Sequence, residues 1–222
     1  MPRTADTKEQ ILDAAEALFS AHGIEGVSLR SLTKEAKVNL ASVHYHFGSK
    51  EAVVKAAFAR CIRPVNRERL ALLDQLEKEA ADGHLGVEAV LFALFSPTMK
   101  LARVSSERQS FVRLCARLYS EPADYLEPFF EDEFREVMKR FEAAFARALP
   151  GLPQHELRSR MRFAVGVMAH TMLDCGRTHN WTAGKGDETD AQAILASMVR
   201  FVAGGMLARP GRMTPAREEA VA

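Results

Sequence analysis

Apolar positions recur at three- and four-residue intervals through almost the whole chain and nowhere alternate over the length of a strand, which predicts an all-α protein. Thr7, Lys8, Glu9 and Gln10 have capping-box spacing and open a first helix, along which Ile11, Ala14, Ala15, Leu18 and Phe19 share a face. Gly23 suits the left-handed position that ends it. Ser28 caps a second, shorter helix that turns Leu29, Leu32 and Ala36 inward. Lys37, Val38 and Asn39 make a tight connection, and Asn39 caps a third short helix with Leu40, Val43 and Phe47 as its inward residues. After Gly48, Ser49 caps a fourth helix running from Lys50 toward Ala80, with Val53, Val54, Ala57, Phe58, Ile62, Val65, Leu72, Leu73 and Leu76 as its stripe. Pro64 lies inside that helix and predicts a kink or break near Arg63.

The turn residues Asp82, Gly83 and His84 mark a boundary at 81–86. Beyond it the pattern predicts helices over 87–102 (interrupted at Pro97), 106–119, 124–149, 154–179 and 190–207, with a glycine-rich loop at 183–188 and a polar tail from Pro210. The organisation expected is a helix-turn-helix head over 1–50, joined through the long helix 50–80 to a larger helical domain over 51–209, then a tail over 210–222. No internal repeat is seen.

Apolar residues make up 47% of the chain and charged ones 27%, ordinary for a soluble globular protein. With a net charge of +1, a nucleic-acid surface has to be a local patch. Cys61, Cys115 and Cys175 are isolated and odd in number, which speaks against a disulfide framework or structural zinc and for a reducing cytoplasm. The start "MPRTADTKEQ" has no apolar signal region, and the longest nearly apolar run, 161–173, is broken by His170 and too short to span a bilayer. A soluble cytoplasmic protein without membrane attachment is expected. Enzyme motifs are missing: the sequence has no glycine-rich phosphate loop, nucleophile motif or metal constellation, so neither catalysis nor a cofactor is expected. The acidic run Glu131, Asp132, Glu133 reads as solvated surface, because neighbouring carboxylates on a helix diverge.

One stretch carries more chemistry than a surface helix needs. In "VNLASVHYHFGSKEAVV", residues 38–54, the third helix leaves Asn39, Ala41, Ser42, His44, Tyr45 and His46 wholly or partly outward. Short polar groups there can hydrogen-bond base edges, a small residue permits close approach, and rings pack on sugar-phosphate. Lys50 begins the next helix, where its ammonium joins the positive helix end in favouring a phosphate. Co-ligation of a metal by His44 and His46 is disfavoured, since residues two apart on a helix point to nearly opposite sides. Tyr45 taken alone suits a core or rim aromatic; the whole constellation suits the second helix of a helix-turn-helix lying in a major groove.

Residues 7–58, "TKEQILDAAEALFSAHGIEGVSLRSLTKEAKVNLASVHYHFGSKEAVVKAAF", resemble the N-terminal DNA-binding domain of the TetR/AcrR family of bacterial repressors. The resemblance rests on Ile11, Ala14, Ala15, Leu18, Phe19, Gly23, Ile24, Ser28, Leu29, Ala36, Val38, Tyr45, His46, Phe47, Ser49, Lys50 and Glu51. It implies a homodimer whose C-terminal helical domains pair two subunits and enclose a small-molecule pocket, ligand binding there respacing the reading heads and releasing a double-stranded DNA operator. It further implies base contacts from Ala41, Ser42 and His44 with Asn39 at the helix start, and phosphate contacts from Ser28, Tyr45, His46 and Lys50. Arg30, on the exposed side of the second helix, is a further candidate. Many members carry Tyr where this chain has His44.

The stretches "VRLCARLYSEP" and "RFAVGVMAHTML", together with "NLAS" and "HFGSKE", are similar to fatty-acid-responsive members of that family, implying a small apolar or acidic effector. Phe92, Phe95, Met99, Phe111, Leu114, Cys115, Leu118, Phe129, Phe130, Met161, Met168 and Met172 would suit an adaptable apolar pocket, and would suit an ordinary core equally well. Arg113 and Arg117 lie one turn apart and read either as a carboxylate anchor or as a solvated face. The last two helices are apolar on two sides, Met161/Val165/Met168/Met172 and Phe163/Val167 in one, with Ala, Ser and Gly permitting close approach in the other. A two-fold four-helix interface through Val165, Met168, Met198, Val199 and Val202 is expected, with His170 packed or at the interface. A helical interaction protein that bound no DNA would leave the exposed Ser42, His44, Tyr45 and Lys50 unexplained.

Overall fold

The computed structural model describes residues 4–80, 85–101, 126–174 and 191–210, and every regular element among them is a helix. The elements are α1 (Thr4–His22), α2 (Leu29–Ala36), α3 (Leu40–Phe47), α4 (Lys50–Glu79), α5 (Val87–Leu101), α6 (Glu127–Ala148), α7 (Gln154–Asp174) and α8 (Ala191–Leu207). The expected helix over 106–119, the pocket candidates Phe111, Leu114, Cys115 and Leu118, the pair Arg113 and Arg117, Cys175, the loop at 183–188 and the tail beyond Pro210 lie outside the described residues.

Capping side chains set the short elements at the front of the chain. Gly23 takes a φ of 71° and donates its N–H to the Phe19 carbonyl, ending α1 where a β-carbon would be strained. Ser28 and Ser31 form a reciprocal capping box at the start of α2, and Lys37 adopts the left-handed conformation that turns the chain into α3. Ile11, Ala15, Phe19, Leu32, Val43, Val54 and Phe58 close one apolar core around these helices. That core runs past position 50 to Ile62 and also takes Leu126 and Phe130 from the start of α6. The apolar core of α1–α3 is therefore completed by the first part of α4 and the tip of α6.

Neither internal proline breaks its helix. α4 continues through Pro64 and α5 through Pro97, although a kink or break was expected at the first and an interruption at the second. Each proline removes one backbone donor and costs local stability. Both helices are held along their length by packing, α4 through Phe58, Ile62, Val65 and Leu73, and α5 through Leu94, Phe95 and Met99.

The second core joins the far part of α4 with α5, α6, α7 and α8 through Leu73, Leu91, Leu94, Phe95, Phe141, Phe145, Met161, Met198, Val202 and Met206. Arg160 is buried and donates to the carbonyls of Met206 and Ala208, satisfying the end of α8 and tying it to α7. Polar clamps pin α4 to α1 and to α6 beside the first core. Arg60 on α4 is held by Glu9, Asp13 and Glu16, three carboxylates of α1. Arg63 forks onto Glu133 of α6, and Asn66 Nδ2 donates to the Glu133 carbonyl at 2.8 Å. Glu133 is thus a structural partner rather than part of a solvated acidic run, because its turn of α6 faces α4.

Candidate nucleic-acid interface

α3 is an eight-residue helix whose Asn39 Oδ1 accepts from the Ser42 backbone N–H at 2.7 Å and from the Ser42 hydroxyl at 2.9 Å. This double contact fixes the start of the helix and occupies part of two candidate base readers. What remains outward is the Asn39 amide as donor and the Ser42 oxygen as acceptor. Val43 is fully buried and Phe47 partly so, and they anchor the inner side. Leu40, expected to join them, stands in the first turn and is 48% exposed.

The outer side carries Ala41, His44 and Tyr45, and Tyr45 is 80% exposed. The His44 ring folds back so that Nδ1 lies 2.9 Å from the Gly48 carbonyl oxygen. A carbonyl only accepts, so Nδ1 carries the proton, and in the neutral ring Nε2 is left as an acceptor. Gly48 reaches this position with a φ of 80°, a backbone conformation that favours glycine. His46 is half-buried between Tyr45, edge to face at 5.1 Å, and Phe47 at 6.3 Å. His44 and His46 therefore diverge, and among the described residues no group of three or more His, Cys, Asp or Glu is placed to hold a metal.

The phosphate candidates rim this helix. Ser28 and Arg30 are exposed at the start of α2, where the Ser28 hydroxyl is engaged in its capping box and Arg30 is the charged group on offer. Ser49 caps α4 by accepting from Ala52 N–H at 3.2 Å. Hydrogen bonds from the Ser49 side chain and from its own backbone N–H hold the Glu51 carboxyl below its ordinary range, so a negative charge already occupies the first turn of α4. Lys50, half-buried beside it, is then the group that would meet a phosphate. Lys8 of α1 lies 5.9 Å over the Phe47 ring and adds a cation to the same side, a contribution legible only once the helices are packed.

Lys50→Ala is expected to weaken operator and non-operator binding about equally and to flatten the slope of log affinity against log salt by about one unit, the signature of one lost phosphate contact. A slope unchanged at equal folding removes Lys50 from the interface.

The residues expected at a subunit interface all turn toward the subunit's interior. Val165, Met198, Val199 and Val202 are buried within the single subunit, and Met168 turns inward to lie 3.5 Å from Arg69 through its sulfur. Within one subunit they serve its own packing. The opposite face of the same two helices is open: Phe163 is 69% and Phe201 73% exposed, with Gly166, His170, Gly204, Gly205 and Leu207 also outward. Of the pocket candidates, Phe95, Met99 and Met172 are buried, whereas Phe92 is half-exposed on the outer side of α5 and lines no interior. Phe129 and Phe130 belong with the head: Phe130 stands edge to face with Phe58 at 5.8 Å.

Comparison with known proteins agrees with this arrangement. Residues 11–57 match the model of bacterial regulatory proteins of the tetR family, and residues 92–205 match that of the tetracyclin repressor-like C-terminal domain. The chain is 28% identical over 144 residues, 65% of its length and 72% of the relative's, to the HTH-type nicotine-responsive transcriptional repressor HdnoR of Paenarthrobacter nicotinovorans. The fatty acid degradation regulator FadR from Bacillus halodurans superimposes with a TM-score of 0.65 at 16% identity, over 91% of this chain and 97% of that one. FadR from Bacillus subtilis in complex with stearoyl-CoA superimposes with a TM-score of 0.60 at 14% identity, over 89% and 98%. At such identities the likeness to the two solved structures is one of fold.

Proposed function

The chain belongs to the TetR family of bacterial regulatory proteins, transcriptional regulators rather than enzymes, and from that premise we propose that it is a homodimeric repressor released from a palindromic operator by a fatty acid or acyl-CoA. The observation that carries the DNA-reading part is α3 itself: capped at Asn39, anchored by Val43, and presenting Ala41, His44 and Tyr45 outward between the cations Arg30 and Lys50. Base contacts then come from Asn39, Ala41, Ser42 and His44, and phosphate contacts from Ser28, Arg30, Tyr45, His46 and Lys50.

Pairing of two subunits is assigned to the open faces of α7 and α8. Gly204 and Gly205 lie outward within α8, where a glycine costs roughly 1 kcal/mol against alanine. Close approach of a partner helix would offset that cost, and the exposed Phe163 and Phe201 supply the apolar area. His170, also outward, falls on the same face.

The effector assignment draws on the second core. Phe95, Met99 and, packed against them, Met168 give it flexible and aromatic apolar walls, and Met172 is buried on the same helix as Met168. Arg69 sets a positive charge inside, its guanidinium donating to the Leu94 carbonyl, Asn66 Oδ1 and Thr98 Oγ1. An apolar chain with an acidic head fits that combination, and two FadR proteins share the fold. Selecting bound sites from random DNA should return a two-fold symmetric sequence. Titrating acyl chains of rising length against the preformed complex should then release DNA with affinity climbing about four-fold per methylene until the pocket is full, from about 0.8 kcal/mol per buried methylene. Release by a compact amine while no acyl chain acts would refute the effector class and leave the DNA-reading role standing.

A further inference from the structure

Among the described residues before α5, two large apolar side chains are exposed, Leu40 by about half and Tyr45 by most of its surface, and both stand on the eight residues of α3. Tyr45 carries a hydroxyl that can meet a phosphate. Leu40 has only methyl and methylene groups to offer. It follows the Asn39 cap directly and shares its side of the helix with His44, four positions on. A single leucine is too small a patch for a protein partner, and it sits amid the polar Asn39, Ser42 and His44.

We propose that Leu40 is a specificity-determining residue that packs against the 5-methyl group of a thymine in each half-site. The inference rests on α3 being the helix that enters the major groove. In that groove the thymine methyl is the one aliphatic group that an unmodified base pair displays, so it is the one base feature from which an aliphatic side chain gains by excluding water. Asn39 and Ser42, locked together at the helix start, fix the first turn and with it the position of Leu40. His44, holding its Nδ1 proton on Gly48, presents in its neutral form an acceptor on the same side, suited to an exocyclic amino group rather than to the thymine carbonyl. The reading surface is thus a methyl-seeking group beside an acceptor.

The test uses the full-length protein and an operator recovered by selection from random DNA. Each thymine of a half-site is replaced in turn by deoxyuridine, which keeps every hydrogen-bonding group and removes only the methyl. At one thymine per half-site affinity should fall about four-fold, the effect of one apolar carbon left uncovered. In Leu40→Ala, which removes an exposed side chain and leaves the core untouched, thymine and deoxyuridine at that position should bind within a factor of about two, below that effect. Retention of DNA with every deoxyuridine substitution silent overturns the proposal while leaving the DNA-reading role intact. So does a thymine preference that survives unchanged in Leu40→Ala, which transfers the contact to Ala41. Failure to retain any DNA overturns both readings together.

Discussion

Replacing Phe201 with aspartate is expected to leave a folded monomer whose grip on a two-fold operator has fallen by two orders of magnitude or more. Phe201 is 73% exposed in the subunit, so its ring contributes little to the core that folds the chain. In a dimer the same ring would be covered, and an aspartate there would be a buried unpaired charge. Losing the second reading head removes the avidity of two linked sites, typically 10²–10⁴-fold. Sedimentation at micromolar concentration reads the first effect, and titration of full and half operators reads the second. A dimer of parental stability in the variant would move the interface off this face. Val199→Asp serves as the contrast: Val199 is buried within the subunit, so the charge should unfold the chain instead of dissociating it.

Phe130→Ala is expected to cost roughly 3–5 kcal/mol, the range for removing a buried phenylalanine, with the loss seated in the DNA-reading head. Phe130 lies far along the chain from α1–α3, yet its ring packs edge to face on Phe58 and belongs to the head's apolar core with Leu126. The neighbouring Arg63–Glu133 contact should matter much less, because the Arg63 side chain is largely exposed and such pairs typically contribute under about 1 kcal/mol. Denaturant unfolding of the two alanine variants, Phe130→Ala and Glu133→Ala, separates them. A cost below about 1 kcal/mol for Phe130→Ala would show that the α6 tip is not part of the head's core.

Much of the fold was legible in the chain because it depends on local chemistry. Ser28, Asn39 and Ser49 cap three helices in succession and Gly23 ends another, each through contacts within four residues. Such contacts are written in consecutive letters. The span of α4 as one long helix was legible, but that neither Pro64 nor Pro97 breaks its helix was not, since a local penalty was outweighed by packing from distant segments.

The candidate site divides along the same line. The stretch from Asn39 to Lys50 marked α3 as the reading helix before any geometry was known, because short polar and ring side chains at those spacings leave few other uses. That Leu40 stands outward, that Asn39 and Ser42 are bonded to each other, and that His44 spends its Nδ1 proton on Gly48 required the packed chain. Helical periodicity likewise identified two apolar stripes on α7 and α8, but periodicity is symmetric about the helix axis and carries no sign. Only the placement of α5 against α8 decided that Met198, Val199 and Val202 face the subunit's own core and that Phe201 and the two glycines stay exposed. By itself, the sequence determined the helices, the caps of α2, α3 and α4 and the reading helix, although α1 begins at Thr4 and not at the capping box read from Thr7; the tertiary structure decided which side of each helix is inside, because burial is a property of what packs against a face and not of the face alone.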